Sequence, residues 1–165
     1  MVGIPLVLHA GQSPHRFVAQ IPVEAIRIPA DGLREAMARS EAVNDIMLRF
    51  AQCFAHQVAS TAFGNAAFTV EARLARWLLM AHDRSTGDDI ALTHETLALM
   101  LSVRRASVTL ALHMLEGEQA VRGTRGNVTI RDRDKLLEIA AQSYGEAESE
   151  YTRLIGRTIQ SARHD

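Results

Sequence analysis

The stretch from Leu92 to Asp134 constrains the fold more than any other part of the chain, because it orders two short amphipathic helices, a tight turn and a Gly-tipped hairpin within some forty residues. Thr93 is an N-cap residue whose hydroxyl can accept a free backbone N–H, and Glu95 puts a negative charge at that helix N-terminus. Leu97, Met100 and Leu101 follow at helical spacing, and Ser102-Val103 breaks the pattern. A second helix begins near Arg104, with Val108, Ala111, Leu112 and Leu115 on one face and Ala106, Leu110 and His113 on the opposite one. Next comes a β-hairpin whose tip is Gly123-Thr124-Arg125-Gly126. This order is that of a winged helix-turn-helix, which makes double-stranded DNA the first partner to consider.

In that arrangement the second helix enters the major groove by its N-terminal end, where Arg104 and Arg105 stand. A guanidinium fork can pair with both acceptors of guanine, which an ammonium does less well. An isolated Arg-Arg pair is ordinarily a solvated helix start; joined to a turn, an amphipathic helix and a hairpin, it points to base reading. Thr109 can bond a base or phosphate, and Leu110 can touch a thymine methyl. Thr93, Ser107, Arg122 and Arg125 are the expected contacts to the DNA backbone.

Together these residues resemble the Crp/Fnr family of bacterial transcription regulators. The likeness runs from LTHETLA through the SVRRASVT turn and second helix to the RGNVTIRDR strand, and the preceding VEARLARWLLMAHDR segment is similar to the helix that enters the DNA domain in one branch of the family. By position Arg105 resembles the family's guanine-reading arginine. Ala106 stands where many members have glutamate, and Leu110 where many have a second arginine. The resemblance implies a DNA-binding regulator, with RNA polymerase as a further candidate partner.

Composition sets outer bounds. The chain's 165 residues have room for about one ordinary domain, or a small domain with a long helix and a partial second unit. Its formal charge is only −1, so a DNA reading rests on local charge: Arg104, Arg105, Arg122 and Arg125, partly offset by Glu116 and Glu118. Cys53 is the sole cysteine, which excludes an internal disulfide and also the cluster ligation of oxygen-sensing members of the resembled family, since an iron–sulfur cluster needs about four ligands. No run of about 18 apolar residues and no leader with an apolar core and small-residue cleavage site is present, so a cytoplasmic protein with no membrane partner is expected.

The N-terminal 40 residues read as β-rich runs at Ile4 to Leu8, Arg16 to Ile21 and Ala25 to Ile28, followed by a short helix with Leu33 and Met37. They are similar to the closing strands of the family's sensory β-roll, so a partial β-roll with a hinge helix is expected over 1–40. The family's cAMP pattern has a glutamate after the glycine and a later Arg-Ser pair, whereas this chain has Gly3-Ile4-Pro5 and Ser13-Pro14-His15-Arg16, so no cAMP site is expected. Residues 41–65 form the longest helical pattern, with Val43, Ile46, Met47, Phe50, Phe54 and Val58 in a stripe at intervals of three and four. The stripe either packs on the neighbouring β segment or, as the preferred reading, forms a homodimer seam that presents two recognition helices to two half-sites. Gly64-Asn65 is expected to break this helix.

Residues 66–145 then form the winged helix-turn-helix domain. Thr69 caps a helix whose apolar face is Val70, Leu74, Trp77, Leu78 and Ala81, and Asp132 caps one carrying Leu136, Leu137 and Ile139. A tail helix with Tyr151, Leu154 and Ile155 occupies 146–165. The loop from Asp83 to Asp89 superficially resembles a calcium loop, but Asp88 and His94 occupy the required glycine and bidentate glutamate positions. No nucleophile elbow, Walker loop or zinc-protease motif is present, and the seven histidines show no ligand spacing, so neither an enzyme nor a metal site is expected. The overall expectation is a mainly α chain with small β elements, acting as a homodimeric regulator on a palindromic site. The alternative is a protein-interaction module whose winged helix has lost base reading, motivated by the apolar residues Ala106 and Leu110.

Overall fold

The computed structural model describes residues 1–19 and 23–156. Helix α1 (Ile4–Val7) and α2 (Ala30–Arg39) precede the long α3 (Glu41–Ala67) and α4 (Val70–His82). Strand β1 (Asp89–Ile90), α5 (His94–Leu101), α6 (Arg105–Gly117), β2 (Val121–Thr124) and β3 (Asn127–Ile130) follow, and α7 (Arg133–Ala140), a 3-10 turn at Ala141–Ser143 and α8 (Glu146–Ile155) complete the chain.

The helix starts follow from their capping residues. The side chains of Ser40, Thr69, Thr93 and Asp132 accept the backbone N–H of Val43, Ala72, Thr96 and Lys135, which satisfies donors that the first turn leaves open. One core unites α4 to α7 with the sheet. Leu74, Leu78, Leu97, Val108, Ala111, Leu112, Leu115 and Leu136 are buried in it, and Val70, Trp77, Ala81 and Ile139 pack against it half-buried. Leu137, also carried by α7, is 37% exposed because Leu136 and Ala140, one turn apart, take the inward positions.

The sheet has three strands in the order β1-β3-β2, all antiparallel. The hairpin was legible, but β1 was not. Asp89 and Ile90 pair with Thr129 and Val128, and Asp89 Oδ1 accepts from Thr129 Oγ1 at 2.5 Å and Asn127 Nδ2 at 3.1 Å. The acidic loop that looked like a calcium site is tied into the protein instead. His82 Nε2 lies 2.8 Å from Asp88, and Arg133 reaches His82 Nδ1 at 3.0 Å and Asp83 at 2.7 Å while Tyr144 donates to Asp83.

The N-terminal part departs from expectation. Residues 4–8 do not form a strand: Ile4–Val7 is one helical turn, with Pro5 tolerated in its first turn and Ile4 and Val7 buried against Met37 and Ala51. Residues 8–19 and 23–29 carry no strand, so the expected partial β-roll is not formed by the described residues; the end of the Arg16 to Ile21 run lies outside them. A short apolar run is ambiguous between strand and helix, and here no neighbouring strand exists among the described residues to pair with it.

Helix α3 also runs past its expected break. Gly64-Asn65 lies inside a 27-residue helix, and Gly64 is buried with Phe68 folded over it at the C-cap. At 1.5 Å per residue α3 is about 40 Å long. α8 lies along one side of it, with Arg49 Nη1 donating to the Leu154 carbonyl at 3.4 Å and Glu146 3.8 Å from His56. The expected tail helix is therefore packed on α3; its last expected residues lie outside the described ones.

Candidate nucleic-acid interface

Helices α5 and α6 meet at 103°, an angle typical of a helix-turn-helix. The turn is made by Ser102, whose left-handed φ of 53° ends α5, and by Arg104 in extended conformation at the N-cap of α6. The Arg73 guanidinium donates to the carbonyl of Leu101, the last residue of α5. Val108, Ala111, Leu112 and Leu115 turn inward as expected, leaving Ala106, Leu110 and His113 exposed.

Arg104 and Arg105 are both exposed at the start of α6. Arg104 offers no side-chain oxygen to the first-turn N–H groups, so the positive end of the helix dipole lies beside two guanidinium groups. The hairpin closes through Arg125-Gly126, with Gly126 at φ 76°, a tighter tip than expected because Gly123 and Thr124 remain in β2. Arg125 is exposed at that tip, and Arg122 is exposed on β2 between buried Val121 and half-buried Gly123. Glu116 of α6 accepts the Gly123 N–H at 2.7 Å, so a residue expected only to offset positive charge ties the wing to the second helix.

An open cleft of about 620 Å³ lies between the start of α5, the start of α6 and the wing tip. It is lined by Thr93, His94, Glu95, Arg105, Thr124, Arg125 and Gly126, so three expected contact residues, Thr93, Arg105 and Arg125, share one concavity. Arg104, Leu110 and Arg122 lie outside its lining. Ser107 and Thr109 are half-buried. Thr109 Oγ1 donates to the Arg105 carbonyl at 3.2 Å and lies 3.0 Å from His94 Nδ1.

Two participants were missed. Glu95 Oε1 pairs with Arg105 Nη1 at 2.9 Å, and His94 holds Thr109. Neither contact follows from spacing along one helix, since each joins the first turn of α5 to the first turns of α6 across the bend. Their signal in the sequence was the turn itself.

The dimer stripe divides. Val43, Met47 and Phe50 pack half-buried under α1 and α2 with Leu33, whereas Ile46, Phe54 and Val58 are 36%, 39% and 51% exposed. Among the described residues no group of three or more His, Cys, Asp or Glu side chains is placed to hold a metal, and no single helix is long and apolar enough to cross a membrane.

The model of the Crp-like helix-turn-helix domain matches residues 72–139. Among solved structures, a protein described as a putative transcriptional regulator of the Crp/Fnr family from Eubacterium rectale is 25% identical with a TM-score of 0.54, over 68% of this chain and 52% of that one. A CRP-family transcriptional regulator from Thermus thermophilus is 23% identical with a TM-score of 0.50, over 68% of this chain and 55% of that one, and shares the fold. The chain thus spans about half the length of these relatives. No curated protein matches it significantly. Residues 72–139 thus match a Crp-like helix-turn-helix domain, and over that part the chain is similar to regulators of the Crp/Fnr family.

Proposed function

We propose that this chain is a sequence-specific, DNA-binding transcriptional regulator of Crp/Fnr type that acts as a homodimer on a palindromic site. The observation that carries the reading is the shared cleft: Arg105 at the start of α6 and Arg125 at the wing tip face one concavity with the N-terminal end of α5. That spacing lets α6 reach base edges while the wing and Thr93 hold phosphate. The exposed strip of α3 at Phe54 and Val58, one turn apart, supplies an apolar seam for a second copy. A two-fold pair would set its α6 helices against half-sites about 34 Å apart. Reorientation of the two recognition helices along α3 would change operator occupancy, and an effector would act only by binding one arrangement better. RNA polymerase is the further partner such a regulator would meet.

The test is selection of bound duplexes from a random pool, then binding of variants to the selected site at fixed salt. Arg105→Ala should cost about 1–3 kcal/mol on that site and relax preference at one symmetric position. Arg125→Ala should weaken all sequences alike and reduce the salt slope by about 1. A second reading is favoured by Leu99, Leu110 and Met114, which are 75%, 62% and 55% exposed on α5 and α6 and suit an apolar protein partner. If Arg105→Ala binds selected and random DNA as the parent does, the protein-interaction reading replaces base recognition.

A further inference from the structure

Resting on the DNA reading above, we propose that Glu95 is a positioning residue for base recognition: its carboxylate fixes the Arg105 guanidinium so that the rest of the fork meets a guanine, and its charge holds that fork off phosphate. Glu95 stands in the first turn of α5 and Arg105 in the first turn of α6, and the bend between the helices brings Oε1 to 2.9 Å from Nη1. Only one nitrogen of the fork is used. Among the described residues Nε and Nη2 of Arg105 make no hydrogen bond, and these two neighbouring donors form an edge suited to guanine O6 and N7.

Both side chains are about two-thirds exposed, so in the free protein the pair is a weak, water-screened contact. Docking on DNA changes its weight. Glu95, Arg105 and Arg125 line the same cleft, and a duplex that fills the cleft removes water and strengthens the pair by lowering the local dielectric. The same carboxylate would then lie near phosphate and be repelled by it. Glu95 therefore weakens binding to every sequence while it sharpens the choice among sequences, because specificity is a difference between affinities and gains from an element that opposes the wrong complex. The neighbouring His94 holds Thr109 in the same way, from the same turn of α5 to the same helix.

The experiment measures binding of the parent, Glu95→Gln, Glu95→Asp, Arg105→Ala and Glu95→Gln/Arg105→Ala to three fluorescent duplexes at fixed salt. The duplexes are the site selected by the parent, the same site with the affected guanine replaced, and a random sequence. Glu95→Gln should bind the random duplex about fivefold tighter, as loss of one nearby like charge implies. It should also lower discrimination against the replaced guanine at least threefold, out of the roughly 5–150-fold that a bidentate contact supplies. Glu95→Asp, which keeps the charge on a shorter arm, should bind random DNA as the parent does yet discriminate less. In the Arg105→Ala background Glu95→Gln should still tighten binding but leave discrimination unchanged. If Glu95→Gln tightens all three duplexes equally, Glu95 acts by charge alone and the positioning role is overturned. If its loss of discrimination persists without Arg105, it acts through some other residue and the role is overturned as well. A parent that selects no duplex overturns the DNA reading itself, and this inference with it.

Discussion

Replacing Arg133 by methionine tests how the DNA domain is held together. Arg133 joins the end of α4 to α7: its Nη2 bonds Asp83 at 2.7 Å and Tyr144 Oη at 3.0 Å, its Nη1 reaches His82 at 3.0 Å, and its guanidinium stands 5.9 Å from the Tyr144 ring centre. The Asp83 side chain is 1% exposed and that of Arg133 22%. Arg133→Met keeps most of the packing volume but removes the guanidinium that pairs with the buried Asp83 carboxylate, while the Tyr144 hydroxyl still donates to it. Breaking a buried pair from one side costs about 3–5 kcal/mol. The partial exposure of Arg133 favours the lower end, about 3 kcal/mol. With a domain's total stability of roughly 5–15 kcal/mol, that is a large share, and the midpoint of thermal unfolding should fall by about 10 °C. Urea unfolding followed by far-ultraviolet circular dichroism measures the loss. Arg133→Met/Asp83→Asn should recover at least about 1 kcal/mol, because the buried negative charge is gone together with the guanidinium that balanced it. A loss below about 1 kcal/mol in the single variant, or no recovery in the double, would refute the argument that a desolvated charge dominates here.

Ser102→Gly should raise the stability measured in urea by about 0.5–1 kcal/mol, since Ser102 holds a left-handed φ of 53° that a side chain disfavours; a lower value would mean that its hydroxyl matters more than the strain. Gly123→Ala places a Cβ 3.1 Å from Glu116 Oε1 and should displace the carboxylate that accepts the Gly123 N–H, costing about 1 kcal/mol and speeding amide exchange in the wing. Hydrogen bonds from Thr129 and Asn127 hold the Asp89 carboxyl below the ordinary carboxylate range. Its contribution to the wing is therefore fully present above that range and is lost as pH falls through the lowered value, so the protection of amides 127–130, taken relative to their intrinsic exchange rate at each pH, should fall on acidification in the parent and change little there in Asp89→Asn. Phe54→Glu/Val58→Glu should turn the proposed dimer into a monomer by sedimentation with helicity unchanged, and an unaltered dimer would place the seam elsewhere on the molecule.

The helix-turn-helix was legible because its signals are local. Thr93, Thr69 and Asp132 cap where their chemistry says they should, and the 3.6 period of Val108 to Leu115 separates the buried face of α6 from the exposed face without reference to any partner. Order along the chain then places the hairpin after the second helix, so Arg105 and Arg125 are legible in the sequence as a pair of contacts. What depends on long-range partners stayed hidden. A two-residue strand at Asp89–Ile90 has no pattern of its own and exists because β3 offers it an edge. Ile4–Val7 is apolar enough for either strand or helix, and the surface offered by Met37 and Ala51 decided for helix. Gly64 reads as a breaker, yet its interior helical position is offset by Phe68 packing over a residue without a side chain. Periodicity placed Val43 and Phe54 in one stripe of α3, and only the seating of α1 and α2 covered the first while leaving the second exposed. The pairing of Glu95 with Arg105 belongs to the same class: charge and helix position are written in the sequence, but the bend that brings them to 2.9 Å is a property of two packed helices.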